Sequence, residues 1–173
     1  QKLHEEISKN TWVEETSIQM IYPDTIKIFL KEKKPIAIWQ NKYGNNLITK
    51  NGEIILEKKL NNFKNNLPII IGKKAHKNIS PILKILNVHE NFSKNIWSLT
   101  FVNERRWDIH FNQGLTIRLP SKKVKEAWQK IVSLDKKLNI LNLGLIEIYL
   151  RNHNQILGKI NIDKKLIFKK KIS

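Results

Sequence analysis

With 173 residues and 40% hydrophobic content, the chain is long enough for one medium domain with its own core, or one domain and a piece of another. It has no cysteine, which excludes disulfide staples, thiolate nucleophiles and cysteine-based zinc sites. Lys and Arg number 32 against 15 Asp and Glu, a net +17 that invites a polyanion, but the only arginines are Arg105, Arg106, Arg118 and Arg151. The lysines are spread from Lys2 to Lys171 among abundant Ile and Asn, so a solvated Lys-rich surface is the favoured reading. A nucleic-acid or anionic-lipid binding module is the alternative. No run approaches the roughly 18 apolar residues of a spanning helix, and Gln1 reads as the start of a fragment cut from a longer protein, which leaves room upstream for a signal or a membrane anchor.

Leu3 and Ile7, four apart, read as the last turns of a helix ending near Asn10. Ile18, Met20 and Tyr22 alternate with polar residues, Pro23-Asp24-Thr25 breaks the run, and Ile26, Ile28 and Leu30 alternate on the return, so a hairpin is expected. Lys33-Lys34-Pro35 marks a boundary before a strand holding Ile36, Ile38 and Trp39. Asn51-Gly52 between Leu47-Ile48 and Ile54-Ile55 is a strong turn dipeptide, since both residues tolerate positive φ, and predicts a hairpin. Residues 61–66 read as a loop, and Leu67 to Gly72 as a short buried strand ending in a turn. Ser80-Pro81 predicts the start of a short helix with Ile79, Ile82, Leu83 and Leu86 on one face.

A strand over Ile96 to Val102 leads into the densest bulky stretch: Arg105 to Phe111 alternates, Asn112-Gln113-Gly114 turns, and Leu115 to Leu119 alternates again. Pro120 ends that strand. Ser121 then predicts the N-cap of a helix with Val124, Ala127, Trp128, Ile131, Leu134 and Leu138 along its apolar face. Leu145 to Arg151 and Ile156 to Ile160 are the last two strands, joined by a turn over 152–155. Lys164 to Lys171 forms a basic tail. The sheet is expected to grow by successive hairpins.

Several of these blocks resemble the bacterial FtsQ/DivIB cell-division family. Trp12-Val13, the run Ile21 to Ile28, and Glu32 to Trp39 are similar to the family pattern that closes a small α/β module called POTRA. Leu67-Pro68-Ile69-Ile70-Ile71-Gly72 is similar to another element of the family. Glu104 to Ile109, Gly114 to Pro120 and Val132 to Asp135 resemble its alphaproteobacterial branch. Where members commonly carry Val-Asp-Leu-Arg this chain has Ile148-Tyr149-Leu150-Arg151, so Tyr149 departs from the pattern. The resemblance implies an α+β fold: a truncated POTRA module (a helix end plus a β-hairpin) over 1–39, then a mixed, mainly antiparallel β-sheet domain with two helices over 40–163, and a tail over 164–173. It also implies a bacterial inner-membrane protein with one span upstream, this region lying on the periplasmic side at the division septum.

An enzyme should show a cluster of usable groups, and none is visible. Histidines 4, 76, 89, 110 and 153 have no ligand spacing, there is no Gly-x-Ser-x-Gly elbow, and Gly72-Lys73-Lys74 lacks the rest of a phosphate loop. No cofactor or metal is expected. Asp108 and His110 share a strand face and read as a surface pair rather than half of a catalytic dyad. What remains is the last strand, which carries no proline to block pairing. From the residues alone, an ordinary protected edge and a partner-accepting edge are equally supported. The family resemblance implies the second. There the last strand receives a strand from the membrane protein FtsB, which comes with FtsL, and an arginine before the hairpin tryptophan makes a charge contact. Other membrane proteins of the divisome then assemble on this complex. Carried over, the strand positions are Arg151, Asn152, Asn154, Gln155, Ile156, Leu157, Gly158, Lys159 and Ile160. The arginine is Arg105, with Arg106 competing.

Overall fold

The computed structural model describes residues 5–7, 9–57, 59–63, 67–152 and 155–160, with the side chains of 151, 152 and 155 left out. Residues 5–7 are helical, as expected, while Leu3 lies outside the described residues. Strands β1 (Val13–Ile21) and β2 (Thr25–Glu32) pair antiparallel as a ribbon of their own, Ile18 opposite Ile28 and Met20 opposite Ile26. Alternation collects Ile18, Met20, Ile26, Ile28 and Leu30 on one face of this ribbon. The ribbon is fixed at its base, where the Lys33 N–H donates to the Trp12 carbonyl at 2.8 Å and the Leu56 N–H to the Thr11 hydroxyl at 3.1 Å. Lys33 also pairs with Glu53 at 2.8 Å, and Trp12 packs on Phe63 at 5.8 Å between ring centres.

The remaining strands build one nine-stranded sheet: β3 (Pro35–Asn41), β4 (Gly44–Thr49), β5 (Ile54–Ile55), β6 (Ile69–Ile71), β7 (Ile96–Val102), β8 (Arg106–Phe111), β9 (Thr116–Arg118), β10 (Leu145–Asn152) and β11 (Gln155–Ile160). Their spatial order is β11-β10-β9-β8-β7-β6-β3-β4-β5. The fold is α+β, with β3 straddling residue 39. Growth by successive hairpins is corrected in one respect: β3 with β6, β6 with β7, and β9 with β10 run parallel. Each of the last two of these pairs is joined through a helix, the connection that parallel neighbours require.

Helix α1 (Ala75–Asn87) joins β6 to β7, α2 (Glu90–Ser93) is a single turn, and α3 (Val124–Leu138) joins β9 to β10. Two expected helix starts are wrong. α1 begins before Ser80, behind Lys74 at φ 57°, and Pro81 lies inside the helix. Burial of Ala75 and Ile79 with Ile82 and Leu86 extends the apolar stripe back by one turn, enough to carry the hydrogen bond that proline deletes. α3 begins behind Lys123 rather than Ser121, and its stripe drifts so that Val132 is buried while Leu138 is 53% exposed. The Asn51-Gly52 turn closes the expected hairpin, with β4 and β5 antiparallel. The Thr49 N–H bonds the Glu53 carbonyl at 3.0 Å, so the loop has three residues, and of the two turn residues Gly52 alone has positive φ, at 79°.

One sheet face is covered by α1 and α3. Ala37, Ile48, Ile70, Leu99, Trp107, Ile109, Ile117 and Ile148 form a single core with them. Its largest fully buried side chain is Trp128, which packs against Phe92 at 5.2 Å and Phe111 at 6.5 Å between ring centres. The other face splits. Over β3, β4 and β5 it carries a second small core of Ile38, Leu47 and Ile55 beneath Trp12 and Phe63. Over β7 to β10 the same face is polar, presenting Thr100, Asp108, His110, Thr116, Arg118, Glu147 and Tyr149 in register.

Candidate partner-binding edge

The two borders of the large sheet differ. At one end β5 is two residues long, and the amide following it is taken by the Thr11 hydroxyl. A border that short leaves little to pair with. At the other end β11 is six residues long and pairs on one side only, with β10, Ile148 opposite Gly158 and Tyr149 opposite Leu157. Among the described residues no strand lies on its other side. Ile156, Leu157 and Ile160 are 38%, 58% and 49% exposed. Of the expected strand positions, Ile156 to Ile160 therefore lie on this border. The backbones of Arg151, Asn152 and Gln155 belong to β10 and β11, while Asn154 and the tail over 164–173 lie outside the described residues.

Arg105 and Arg106 separate. Asn103 and Glu104 both take φ 51°, closing a turn in which the Arg105 N–H donates to the Val102 carbonyl at 3.1 Å. Arg105 is exposed there and has no ion-pair partner among the described residues. Arg106 begins β8, where its Nε stands 3.4 Å from Asp108 Oδ1. β8 starts and β10 ends at the same end of the sheet, since β9 runs antiparallel to β8 and parallel to β10. Arg105 thus shares an end with the start of β11, three strands across, roughly 14 Å at the usual strand spacing.

Between them runs a charged row not anticipated from the sequence. Arg118 on β9 reaches Glu147 Oε1 on β10 at 2.7 Å and Asp108 Oδ2 on β8 at 3.6 Å, and its guanidinium lies 4.9 Å from the centre of the Tyr149 ring. The Tyr149 hydroxyl donates to the other Glu147 oxygen. The hydroxyl and the guanidinium both bond the ionised form and hold the Glu147 carboxyl below the usual carboxylate range; the same bond to Glu147 raises the Arg118 guanidinium further. The one signal available was the Glu147/Tyr149 spacing of two, which places both on one strand face.

Asp108 and His110 share a face as expected, but they do not form a surface pair. Asp108 is only 6% exposed, between Arg106 and Arg118. The two ring nitrogens of His110 are taken instead by the hydroxyls of Thr100 and Thr116, each at 3.0 Å. Burial pushes the imidazole below its ordinary pKa, with Asp108 opposing and Arg118 adding.

No helix among the described residues is long and apolar enough to cross a membrane. Nor do three His, Asp or Glu side chains gather there as a metal site would need.

A family model for the C-terminal region of the cell division protein FtsQ/DivIB matches residues 37–157. The cell division protein FtsQ of Rhizobium radiobacter is 29% identical over 140 residues, covering 81% of this chain and 66% of its own length. That of Caulobacter vibrioides NA1000 is 28% identical over 145 residues, covering 84% of this chain and 48% of its own. The chain therefore spans about half to two thirds of these curated relatives. Among solved structures, the extracytoplasmic domain of DivIB from Geobacillus stearothermophilus, in its trans isomer, matches with a TM-score of 0.44 and 13% identity, over 64% of this chain and 97% of that one. With the family pattern running from β3 into β11, across the helix-covered sheet and onto its open border, the chain belongs to the FtsQ/DivIB family of cell division proteins.

Proposed function

We propose that this chain is a non-catalytic scaffold of the divisome, which holds FtsB, together with FtsL, by accepting a strand along Arg151 to Ile160. The observation that carries the reading is that β11 ends the sheet with six residues, no proline and three exposed apolar side chains. Backbone pairing gives such an interface its affinity, and alternate side chains give it selectivity. Arg105 is the better contact arginine, because Arg106 faces Asp108 while Arg105 stands exposed at the end of the sheet where β11 begins. Further divisome membrane proteins would assemble on that complex. The family carries this region on the periplasmic side of the inner membrane, behind a single span, and we assign the same placement here.

We also read 1–39 as the end of a POTRA-like module, 40–163 as the strand-accepting domain and 164–173 as a tail. Support for the first comes from the exposed apolar face of the β1–β2 ribbon, since Met20, Ile26, Ile28 and Leu30 are 44–64% exposed and an isolated two-stranded ribbon is marginal in water.

The test is capture of an FtsB-like peptide by the intact chain and by Ile156→Pro and Leu157→Pro. Successive residues of an edge strand point their N–H groups alternately inward and outward, so one of the two prolines removes an outward donor. That variant should bind at least tenfold more weakly with its fold intact by circular dichroism. Equal capture by both folded variants would refute strand addition. Arg105→Ala should weaken capture severalfold and Arg106→Ala should not. A polyanion-binding protein would instead lose affinity steeply as salt rises, whereas strand addition should weaken little between 50 and 200 mM salt.

A further inference from the structure

We propose a second interaction surface: a groove at the opposite end of the sheet from Arg105, shaped to take a short acidic peptide with apolar anchors. The parallel strands β3, β6 and β7 all begin at this end, and α1 descends antiparallel to them, so their first residues and the last turns of α1 enclose an open space of about 1340 Å³. That exceeds the roughly 300–1,000 Å³ of small-molecule pockets and suits several side chains of an extended segment. Its apolar lining includes Ile36, Leu67, Ile69, Leu83 and Ile96.

Two independent features mark the groove as more than a gap. The first is Trp97. Ile96 lies opposite Phe111 but Ser98 lies opposite His110, so Trp97 is the extra residue of a β-bulge. The bulge turns an indole outward to 48% exposure at the groove wall, with its ring centre 6.2 Å from His110. Bulges re-aim side chains in this way, and Trp is among the residue types enriched at the anchor points of interfaces. The second feature is charge. Lys50, Lys84 and Lys94 line the groove with Glu90 as the one acid, and none of the three lysines has an ion-pair partner among the described residues.

The walls are held in place before anything binds. The Ser93 hydroxyl donates to the Leu86 carbonyl at 2.6 Å, the Asn112 N–H to the Asn95 carbonyl at 2.9 Å, and the Gln113 side chain to Asn95 Oδ1 at 3.2 Å. Charge also narrows the occupant. A second copy carries +17 and the tail over 164–171 is lysine-rich, so both are repelled by these lysines. An acidic partner segment is favoured by the same charges.

The probe is a fluorescent hexapeptide alternating glutamate with leucine and one phenylalanine, titrated into the intact chain by polarisation and by ¹⁵N spectra. Binding should shift the Trp97 indole resonance. It should weaken at least tenfold in the Lys84→Glu, Lys94→Glu double variant and in Trp97→Ala, with melting temperatures unchanged. It should be unaffected by Leu157→Pro. No binding at millimolar peptide, equal binding of a lysine-for-glutamate peptide, or indifference to both groove variants would each overturn the proposal. So would loss of binding in Leu157→Pro, which would move the peptide to β11. Phosphatidylglycerol vesicles binding with the same dependence on Lys84, Lys94 and Trp97 would assign the site to a membrane and likewise overturn it.

Discussion

Arg118→Met tests whether the charged row holds the last hairpin to the sheet. β10 is joined to the rest of the sheet through three parallel register positions, Thr116, Ile117 and Arg118 against Glu147, Ile148 and Tyr149. Arg118 crosses that seam to Glu147 at 2.7 Å, and the two side chains are only 31% and 22% exposed. Methionine keeps the aliphatic stem near the Tyr149 ring but leaves Glu147 without its guanidinium and Asp108, 8% exposed at its side chain, with Arg106 alone. Losing a hydrogen bond between charged, part-buried partners costs up to about 2 kcal/mol. For a chain of this length that lowers the melting temperature by about 4–8 °C. Calorimetry on Arg118→Met, Glu147→Gln and the double variant, each at pH 7 and pH 4, separates the pair from its surroundings. The folded Glu147 carboxyl titrates below its ordinary 4.5, so its contribution is present above that value and is lost as pH falls through the depressed one. The Arg118→Met deficit should accordingly shrink on acidification. A deficit under about 0.5 kcal/mol at pH 7, or additive single variants, would refute the clamp.

Two further outcomes follow from the same geometry. Gly72 sits at φ 122°, where an added Cβ would come within 2.5 Å of the Phe101 carbonyl oxygen, so Gly72→Ala should lower the urea midpoint by the equivalent of about 2 kcal/mol or more; an unchanged midpoint would contradict the backbone path. His110 is held neutral between two threonine hydroxyls with its pKa below 6.5. The unfolded chain therefore binds the extra proton first, and stability should fall as pH drops below 6.5 toward the folded value. This slope should be shallower in His110→Gln when urea midpoints are compared from pH 7.5 to 5, with His76, whose pKa burial also lowers, supplying what remains.

The hairpins were legible because their signal is local. Alternation over Ile18 to Leu30 and Trp107 to Ile117 sets both strand and register, and β1–β2 and β8–β9 pair accordingly. Helix starts were misread because two attractive cap residues, Ser80 and Ser121, are not used; the chain enters both helices through lysines in the left-handed region, Lys74 and Lys123, with no side-chain cap to betray them. The parallel pairings have no periodicity of their own, so the order of the strands was beyond reach. The same holds for the row from Asp108 to Tyr149, whose members come from three strands and meet only through that order.

The topology places β11 at the border of the described sheet. The crossover through α3 sets β10 parallel to β9, and the chain then turns back at once, so among the described residues β11 has β10 on one side and no strand on the other. Sheet borders are commonly guarded by a proline, a short strand or an outstanding charge. β11 has no proline and spans six residues, and its one charged residue among the described side chains, Lys159, lies directly opposite Glu147, which offsets it. Lys159 itself is exposed, and Glu147 across from it sets a counter-charge on the same sheet face, which softens the repulsion an incoming strand would meet. That compensation depends on Glu147 remaining ionised, and Arg118 and Tyr149 keep it so. The charged row therefore supports the proposed strand addition from two strands away.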